Sequence, residues 1–156
     1  MSYAFRQMLT SGYRSALVIA LLAGIAHAAV ESEAREAFSE AQDYIAQRDL
    51  RSAKVELLNA VKADADWIDA RLKLAEVALE LFDPVTAREH IDKASELGAD
   101  ESAYSHLQGH ARWLAGDVAG AEQALTQKRM AKANLPYAYR ILGRVYLAQG
   151  DSIAAA

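Results

Sequence analysis

Two histidines come closer than any other residues of this chain to the spacing of a chemical site. His106 and His110 are four apart in a segment with helical periodicity, so their imidazoles would project from one helix face and could share a metal ion. A stable zinc site uses three or four ligands, and the helix expected beside the pair offers Arg140 and Arg144 instead of carboxylates. We therefore expect no metal and no cofactor. The histidines are assigned either to the lining of a groove or to the solvated surface.

No other arrangement typical of catalysis occurs in the sequence. It contains no GxSxG nucleophile elbow, no glycine-rich phosphate loop and no HExxH metal motif. It also contains no cysteine, which excludes a thiol nucleophile, a disulfide framework and an acylated cysteine as a lipid anchor. We expect no catalytic residues and predict that the protein is not an enzyme.

The composition favours a packed, all-α protein. Hydrophobic residues make up 53% of the 156 residues, which excludes disorder by composition, and only two prolines and eight glycines interrupt the chain. A strand-rich sandwich would need more frequent turn residues. The net charge of −4 comes without a basic footprint, so nucleic-acid binding is not expected.

Charge is divided unevenly along the sequence. Residues 29–101 carry 9 basic and 18 acidic side chains, whereas residues 102–156 carry 6 basic and 3 acidic ones. Blocks of like charge are usually solvated surface, but an asymmetry of this size can also steer a charged partner to one end of an elongated protein. Both interpretations remain open at this point.

The first 28 residues have the pattern of a signal peptide. Arg6 and Arg14 precede the apolar run of residues 16–26, and Ala26-His27-Ala28 supplies the small-x-small cleavage pattern. The apolar run is too short to span a bilayer as a helix, which takes about 20 residues. We expect cleavage before Ala29, export, and a periplasmic location in a Gram-negative bacterium, without a stable transmembrane anchor.

A ladder of aspartate and alanine recurs every 34 residues in this chain. Its rungs are Asp49/Ala53, Asp83/Ala87, Asp117/Ala121 and Asp151/Ala155. A fixed period of this length is the signature of stacked helix–turn–helix units. Each aspartate is predicted to cap the second helix of its unit, and in the second unit Pro84 stands at the favoured first helical position.

Further positions share the same period and predict the packing of the units. Small residues at the eighth position, Ala41, Ala75, Gly109 and Gly143, are expected to face the ladder alanines where the two helices of a unit approach closely. Large apolar residues are expected in the core; these are Leu57, Ile91, Leu125, Leu74, Leu142, Tyr44 and Tyr146.

The segment from Tyr137 to Ala155 resembles a near-consensus tetratricopeptide repeat. The matching positions are Tyr139, Leu142, Gly143, Tyr146, Gly150, Asp151 and Ala155. The resemblance covers residues 29–156 and implies a right-handed all-α solenoid with repeats at 34–67, 68–101, 102–135 and an incomplete one at 136–156. The closing proline of the first two repeats is replaced by Ala65 and Ala99, so looser turns are expected there.

A second resemblance covers Asp49–Ala60, Ala70–Leu79 and Leu97–Asp100. These segments look like the opening of exported repeat proteins of exosortase and exopolysaccharide systems, which implies partners in envelope assembly. Many such proteins resemble lipoproteins, whereas this chain has no cysteine to acylate. Because the fourth repeat stops at its ladder alanine and solenoids need capped ends, the sequence is expected to be the N-terminal part of a longer protein.

Family geometry then predicts a concave groove lined by the first helix of each repeat. The groove residues are His106, His110, Trp113, Tyr137, Arg140, Arg144, Phe38, Gln42, Leu72 and Glu76. Aromatic and arginine side chains are typical of binding hot spots. We expect a non-catalytic scaffold that binds a peptide segment or partner protein, with affinity concentrated around Trp113, Arg140 and Arg144. The alternatives are a structural spacer that self-associates through the incomplete fourth repeat, or a module of an enzyme whose active domain lies beyond Ala156.

Overall fold

The computed structural model of the protein describes residues 31–126 and 130–150, and this part of the chain is helical without a strand. Its helices are residues 31–46 (α1), Leu50–Ala63 (α2), Ile68–Glu80 (α3), Pro84–Glu96 (α4), Glu101–Leu114 (α5), Val118–Leu125 (α6) and Leu135–Gln149 (α7), with a 3₁₀ turn at Lys132–Asn134. The predicted signal peptide and the fourth rung, Asp151/Ala155, lie outside the described residues. None of the described helices is long and apolar enough to cross a membrane. The all-α prediction is confirmed for the described residues.

Consecutive helices fold back on one another. Three residues separate α3 from α4 and α5 from α6, and both pairs are in extensive contact. Helix α3 also contacts α5, and α5 contacts α7, whereas α2, α4 and α6 contact one another less. The odd-numbered helices therefore form a shared face, which we call the inner face.

The aspartates of the ladder cap the second helix of each pair, as predicted. Asp49, Asp83 and Asp117 accept hydrogen bonds from the backbone N–H of Ser52, Thr86 and Gly120 respectively. These bonds satisfy N–H groups that have no partner within the helix. Asp83 also accepts a hydrogen bond at 2.7 Å from Lys54 Nζ, which lies on α2. The bonds from Lys54 and Thr86 hold the pKa of Asp83 well below its ordinary value.

Small residues fill the predicted close contacts between paired helices. Ala53, Ala87 and Ala121 have no exposed surface, and neither do Ala41 and Ala75. At Gly109 the approach is closer still. A Cβ atom there would lie 2.5 Å from Leu125 Cγ and 3.3 Å from the carbonyl oxygen of Ala121.

The expected core is complete in its middle and only partial at its two ends. Leu57, Leu74, Ile91 and Leu125 are buried. The predictions for Tyr44, Tyr146 and Leu142 need correction, because these three are only partly buried. They lie on α1 and α7, the first and last described helices, which have described neighbours on one side only.

The turns inside the helix pairs use a left-handed residue directly before the capping aspartate. Glycine takes this conformation in the third pair, at Gly116 with φ +83°. Arg48 and Phe82 take it in the first two pairs, with φ of +61° and +59°. An L-residue with a Cβ pays about 1–2 kcal/mol for this backbone region. In each pair the next N–H, such as that of Asp83, bonds a carbonyl of the preceding helix.

The two turns without a closing proline are held by hydrogen bonds, contrary to the expectation that they would be loose. Arg71 is buried, and its Nε and Nη2 donate to the carbonyl oxygen of Ala65 at 2.8 and 2.6 Å. Ala99 N donates to the carbonyl oxygen of Ala94 across left-handed Gly98, the usual bond of a helix C-terminal cap. Residues outside the repeat signature therefore order these turns.

Replacing Phe82 tests the cost of its backbone conformation. The side chain is 72% exposed, so Phe82→Gly and Phe82→Ala lose similar packing, and only alanine keeps a Cβ in the left-handed region. We expect Phe82→Gly to have the higher free energy of unfolding, by about 1 kcal/mol, in urea denaturation. Glu89, which is exposed and helical, serves as the control position. There the alanine variant should be the more stable of the two, since glycine destabilises a helix interior by about 1 kcal/mol relative to alanine. Equal stabilities of the two Phe82 variants would contradict the assignment.

The contact at Gly109 can be tested by a double-mutant cycle with Leu125. Gly109→Ala should lower the free energy of unfolding by about 1–3 kcal/mol, because the new methyl group displaces Leu125. In a Leu125→Ala background the same change should be neutral or stabilising, since alanine is the better helix former. Chemical denaturation of the four proteins measures the coupling. Additive effects would show that Leu125 is not what excludes a side chain at residue 109.

Candidate functional site

The residues predicted to line a groove lie in two adjoining groups on the inner face. Five of them line a pocket of about 420 Å³, namely Phe38, Gln42, Leu72, Glu76 and His106. The other five, His110, Trp113, Tyr137, Arg140 and Arg144, contact one another through ring stacking, a hydrogen bond and cation–π pairs. Tyr137 joins the groups, because its ring packs edge-on against both His106 and His110.

The pocket has an aromatic wall that the sequence did not reveal in full. The rings of Phe38 and Trp67 lie 4.7 Å apart at a 40° tilt. Trp67 stands in the turn just before α3, outside the first-helix positions from which the groove was predicted. A large aromatic residue at the junction of two repeats is the signal that would have pointed to it.

Polar groups lie around the rim of the pocket. Lys73 and Glu76 form an ion pair at 2.5 Å along α3, and Asn134 donates to the carbonyl oxygens of Ser102 and Ala103 at the start of α5. The amide of Asn134 is therefore committed to holding the segment before α7 against α5. The free polar groups that remain for a ligand come from α1 and α3, notably Gln42.

The two histidines lie beneath the inner face and not on its surface. His110 is 1% exposed and His106 is 6% exposed, which excludes the solvated-surface alternative and limits their direct contact with a partner. The Nδ1 of His110 lies 2.6 Å from the Tyr137 hydroxyl. The Nδ1 of His106 is buried and finds no hydrogen-bond partner among the described residues.

Burial makes both histidines neutral at pH 7. It lowers the pKa of each to about 4, although Glu76 beside His106 and Glu80 beside His110 act in the opposite direction. Burial also raises the pKa of the Tyr137 phenol above its ordinary value. The layer under the inner face is therefore uncharged, and the charges of this region lie above it.

Carboxylates of α3 stand near the histidines, in addition to the arginines that the sequence predicted on the helix beside them. Glu76 and Glu80 on α3 both act on the imidazoles. Even so, the described residues contain no group of three His, Asp or Glu side chains that could hold a metal ion.

An ion pair crosses the inner face from α3 to α7. The Nη2 of Arg140 donates to Glu80 Oε1 at 2.5 Å, although the two residues are 60 apart in sequence. The guanidinium also lies 4.8 Å from the centre of the Tyr137 ring. Because α5 separates α3 from α7, this bond passes over α5 and covers His110. Sequence reasoning placed Arg140 on the inner face but did not pair it with Glu80.

Arg144 is the cation of this region that no carboxylate balances. It lies 5.9 Å from the centre of the Trp113 ring and is exposed, and it forms no ion pair within the described part of the chain. Trp113 in turn stacks on His110 at 5.8 Å. The guanidinium is thus positioned by an aromatic face while its hydrogen-bond donors stay available.

Two larger depressions lie away from the inner face. One of about 560 Å³ between α1 and α2 is lined by several glutamates, including Glu36, Glu40 and Glu56, and another of about 500 Å³ lies between α4, α5 and α6. Neither contains a buried unpartnered group or an aromatic wall. They lack the convergent polar and aromatic side chains of a specific site.

No protein-family model matches this chain, and no curated protein matches it in sequence. The side chains of the inner face are therefore the basis for a functional proposal. Their chemistry is aromatic and cationic at α5 and α7, and apolar with an acidic rim at α1 and α3.

The buried histidines predict a loss of stability in mild acid. Their folded-state pKa of about 4 lies below the ordinary 6.5, so the unfolded chain takes up more protons between these values and the free energy of unfolding falls as pH decreases through this range. Asp49 and Asp83 have lowered pKa values and titrate below it. Urea denaturation at pH 4.5 to 7 measures the slope.

Substitution of the histidines identifies the groups responsible. His106→Gln/His110→Gln should have a flatter pH dependence than the natural sequence, whatever its absolute stability. His90, whose pKa burial also lowers, contributes to the remaining slope. An unchanged slope in the double variant would show that these imidazoles titrate normally in the folded protein.

Proposed function

We propose that this protein is a non-catalytic, exported scaffold of the tetratricopeptide class that binds a peptide segment of a partner protein on its inner face. The observation that carries the proposal is the convergence of side chains from α1, α3, α5 and α7 on one face. These include two aromatic pairs and an unbalanced arginine. Aromatic and arginine side chains with partly exposed surfaces are the groups that dominate binding energy in protein interfaces.

The helical pairs support the repeat assignment. Capping aspartates, buried alanines and left-handed turns recur with the same 34-residue step, which is what a solenoid of stacked, similar units requires. The pattern of residues 1–28 supports export to a Gram-negative periplasm. A role in envelope or exopolysaccharide assembly rests on the resemblance of Asp49–Ala60 and two further segments alone.

A peptide suits the inner face better than a small molecule does. Small-molecule sites surround most of their ligand, whereas the inner face distributes its contacts over the side chains of four helices. Exposed or half-buried groups such as Phe38, Leu72 and Trp113 lie on three different helices. An extended ligand can contact all of them at once.

Self-association is the second candidate, because α7 keeps apolar side chains exposed. Tyr139 and Leu147 are each 63% exposed, and residues at the matching places of α3, Arg71 and Leu79, are buried by neighbouring helices. A second copy of the chain could cover this side of α7. Such a contact would make the protein a spacer that stacks components of a larger assembly.

Site-specific photo-crosslinking in the native host tests the groove. A photoreactive amino acid at Gln42, which is exposed and lines the pocket, should form an adduct with another polypeptide, whereas the same group at exposed Glu89 on α4 should not. Leu72→Asp should abolish the Gln42 adduct, since it buries a charge against the ligand, while circular dichroism stays unchanged. An adduct that survives this substitution would contradict binding in the pocket.

The same experiment separates the two candidates. A photoreactive group at Tyr139 reports on the exposed side of α7. An adduct of this chain with itself at that position, together with none at Gln42, would favour the spacer. The scaffold predicts the reverse.

A further inference from the structure

The two arginines of the inner face form a pair on one side of α7. Arg140 and Arg144 are one helical turn apart, and each guanidinium lies over an aromatic ring, Tyr137 at 4.8 Å and Trp113 at 5.9 Å. Stacking fixes the plane of a guanidinium without using its N–H donors. Both side chains are therefore oriented before any ligand arrives, which reduces the entropy lost on binding.

The charges around this pair leave an anion-binding surface. Glu80 balances Arg140, and the nearby Lys73 is balanced by Glu76. The histidines beneath are neutral at pH 7 because they are buried. Arg144 has no carboxylate partner within the described residues, so the pair carries one unbalanced positive charge. Its complement is a negatively charged ligand.

The bond between Glu80 and Arg140 is open to exchange. The side chains are 33% and 41% exposed, and ion pairs of this exposure contribute little to stability. Glu80 is also the last residue of α3, where a negative charge is disfavoured by the helix dipole. A carboxylate from a ligand can take its place on Arg140 at little cost in stability.

The surroundings favour a peptide as the source of that carboxylate. Leu147 lies one turn beyond Arg144 on α7 and is 63% exposed. The half-buried ring of Trp113 lies beside Arg144. These groups would pack against apolar side chains that flank an acidic one. Two guanidinium groups one turn apart match carboxylates on successive exposed positions of a bound segment, each bonded in a two-pronged geometry.

We infer that Arg140 and Arg144 dock an acidic peptide segment, and that Glu80 is an internal competitor which occupies Arg140 until the segment binds. The inference rests on the proposed function and adds the chemistry of the partner. Glu80 thereby acts against binding although it lies on the binding face. Removing its charge strengthens capture of an acidic segment, which is the opposite of what loss of an ordinary contact residue does.

A random dodecapeptide library displayed on phage is the probe for the full chain. Peptides retained by the natural sequence should be enriched in Asp and Glu and depleted in Lys and Arg. Their dissociation constants are then measured by fluorescence anisotropy with variant proteins whose helicity is checked by circular dichroism. Raising the salt concentration should weaken binding, because the contact is between exposed charges.

Four variants test whether Glu80 opposes binding of an acidic peptide. Glu80→Gln should tighten binding about 3–10-fold, and Glu80→Asp should tighten it too, because the shorter carboxylate no longer reaches Arg140. Arg144→Gln should weaken binding at least about 10-fold. Glu96→Gln is the matched control, since it removes an ion-paired carboxylate that is also the last residue of its helix but lies on α4, outside the inner face. It should change affinity less than about 2-fold.

The outcomes separate this inference from the proposed function. Retained peptides that are basic or uncharged, or that bind Glu80→Gln no better than the natural sequence, would overturn the acidic-partner inference and leave the peptide-binding scaffold standing. An effect of Glu96→Gln as large as that of Glu80→Gln would show that only net charge matters, which would overturn the role of Glu80 as a competitor. Retention of no peptide at all would overturn both.

Discussion

The close approach of paired helices at small residues is the constraint on which the rest of this structure depends. At Gly109 the partner helix leaves no space for a methyl group, and Ala75 and Ala87 are fully buried. This contact fixes how near each second helix lies to its first. The first helices are then free to pack side by side, and only that arrangement brings residues 60 positions apart, Glu80 and Arg140, within hydrogen-bonding distance.

Two layers of different electrostatic character follow from this packing. The lower layer contains His106 and His110, which burial keeps neutral at pH 7, and the phenol of Tyr137, which is uncharged at that pH. The upper layer contains the exchangeable ions of Glu80 and Arg140. Because the layer beneath the ion pair is uncharged, no charge in that layer competes with a ligand for the arginines. A ligand that approaches from solvent therefore meets the arginines of α7 with only the carboxylates of α3 as rivals.

Local features of the fold were predictable from the sequence, whereas contacts between separate repeats were not. Caps such as Asp83 and contacts such as that of Gly109 follow from residue type and a fixed period, since each depends on a few neighbouring positions. The burial of Arg71 against the Ala65 carbonyl and the pairing of Glu80 with Arg140 depend on the rotation between successive units. A periodic sequence pattern does not predict that rotation, because the rotation depends on how all the side chains between two units pack together.

The uneven distribution of charge along the sequence takes a different meaning in three dimensions. Along the sequence, acidic residues are concentrated in the first part and basic residues in the last part, which suggests a partner that contacts only one of these parts. In the folded protein α3 and α7 flank the same helix, so acidic Glu80 and basic Arg140 neutralise each other across α5. One charge of each sign is thus compensated inside the protein. The charge of Arg144, which lies over Trp113, remains available to a partner on the inner face of α7. An acidic ligand that binds Arg140 must also displace Glu80.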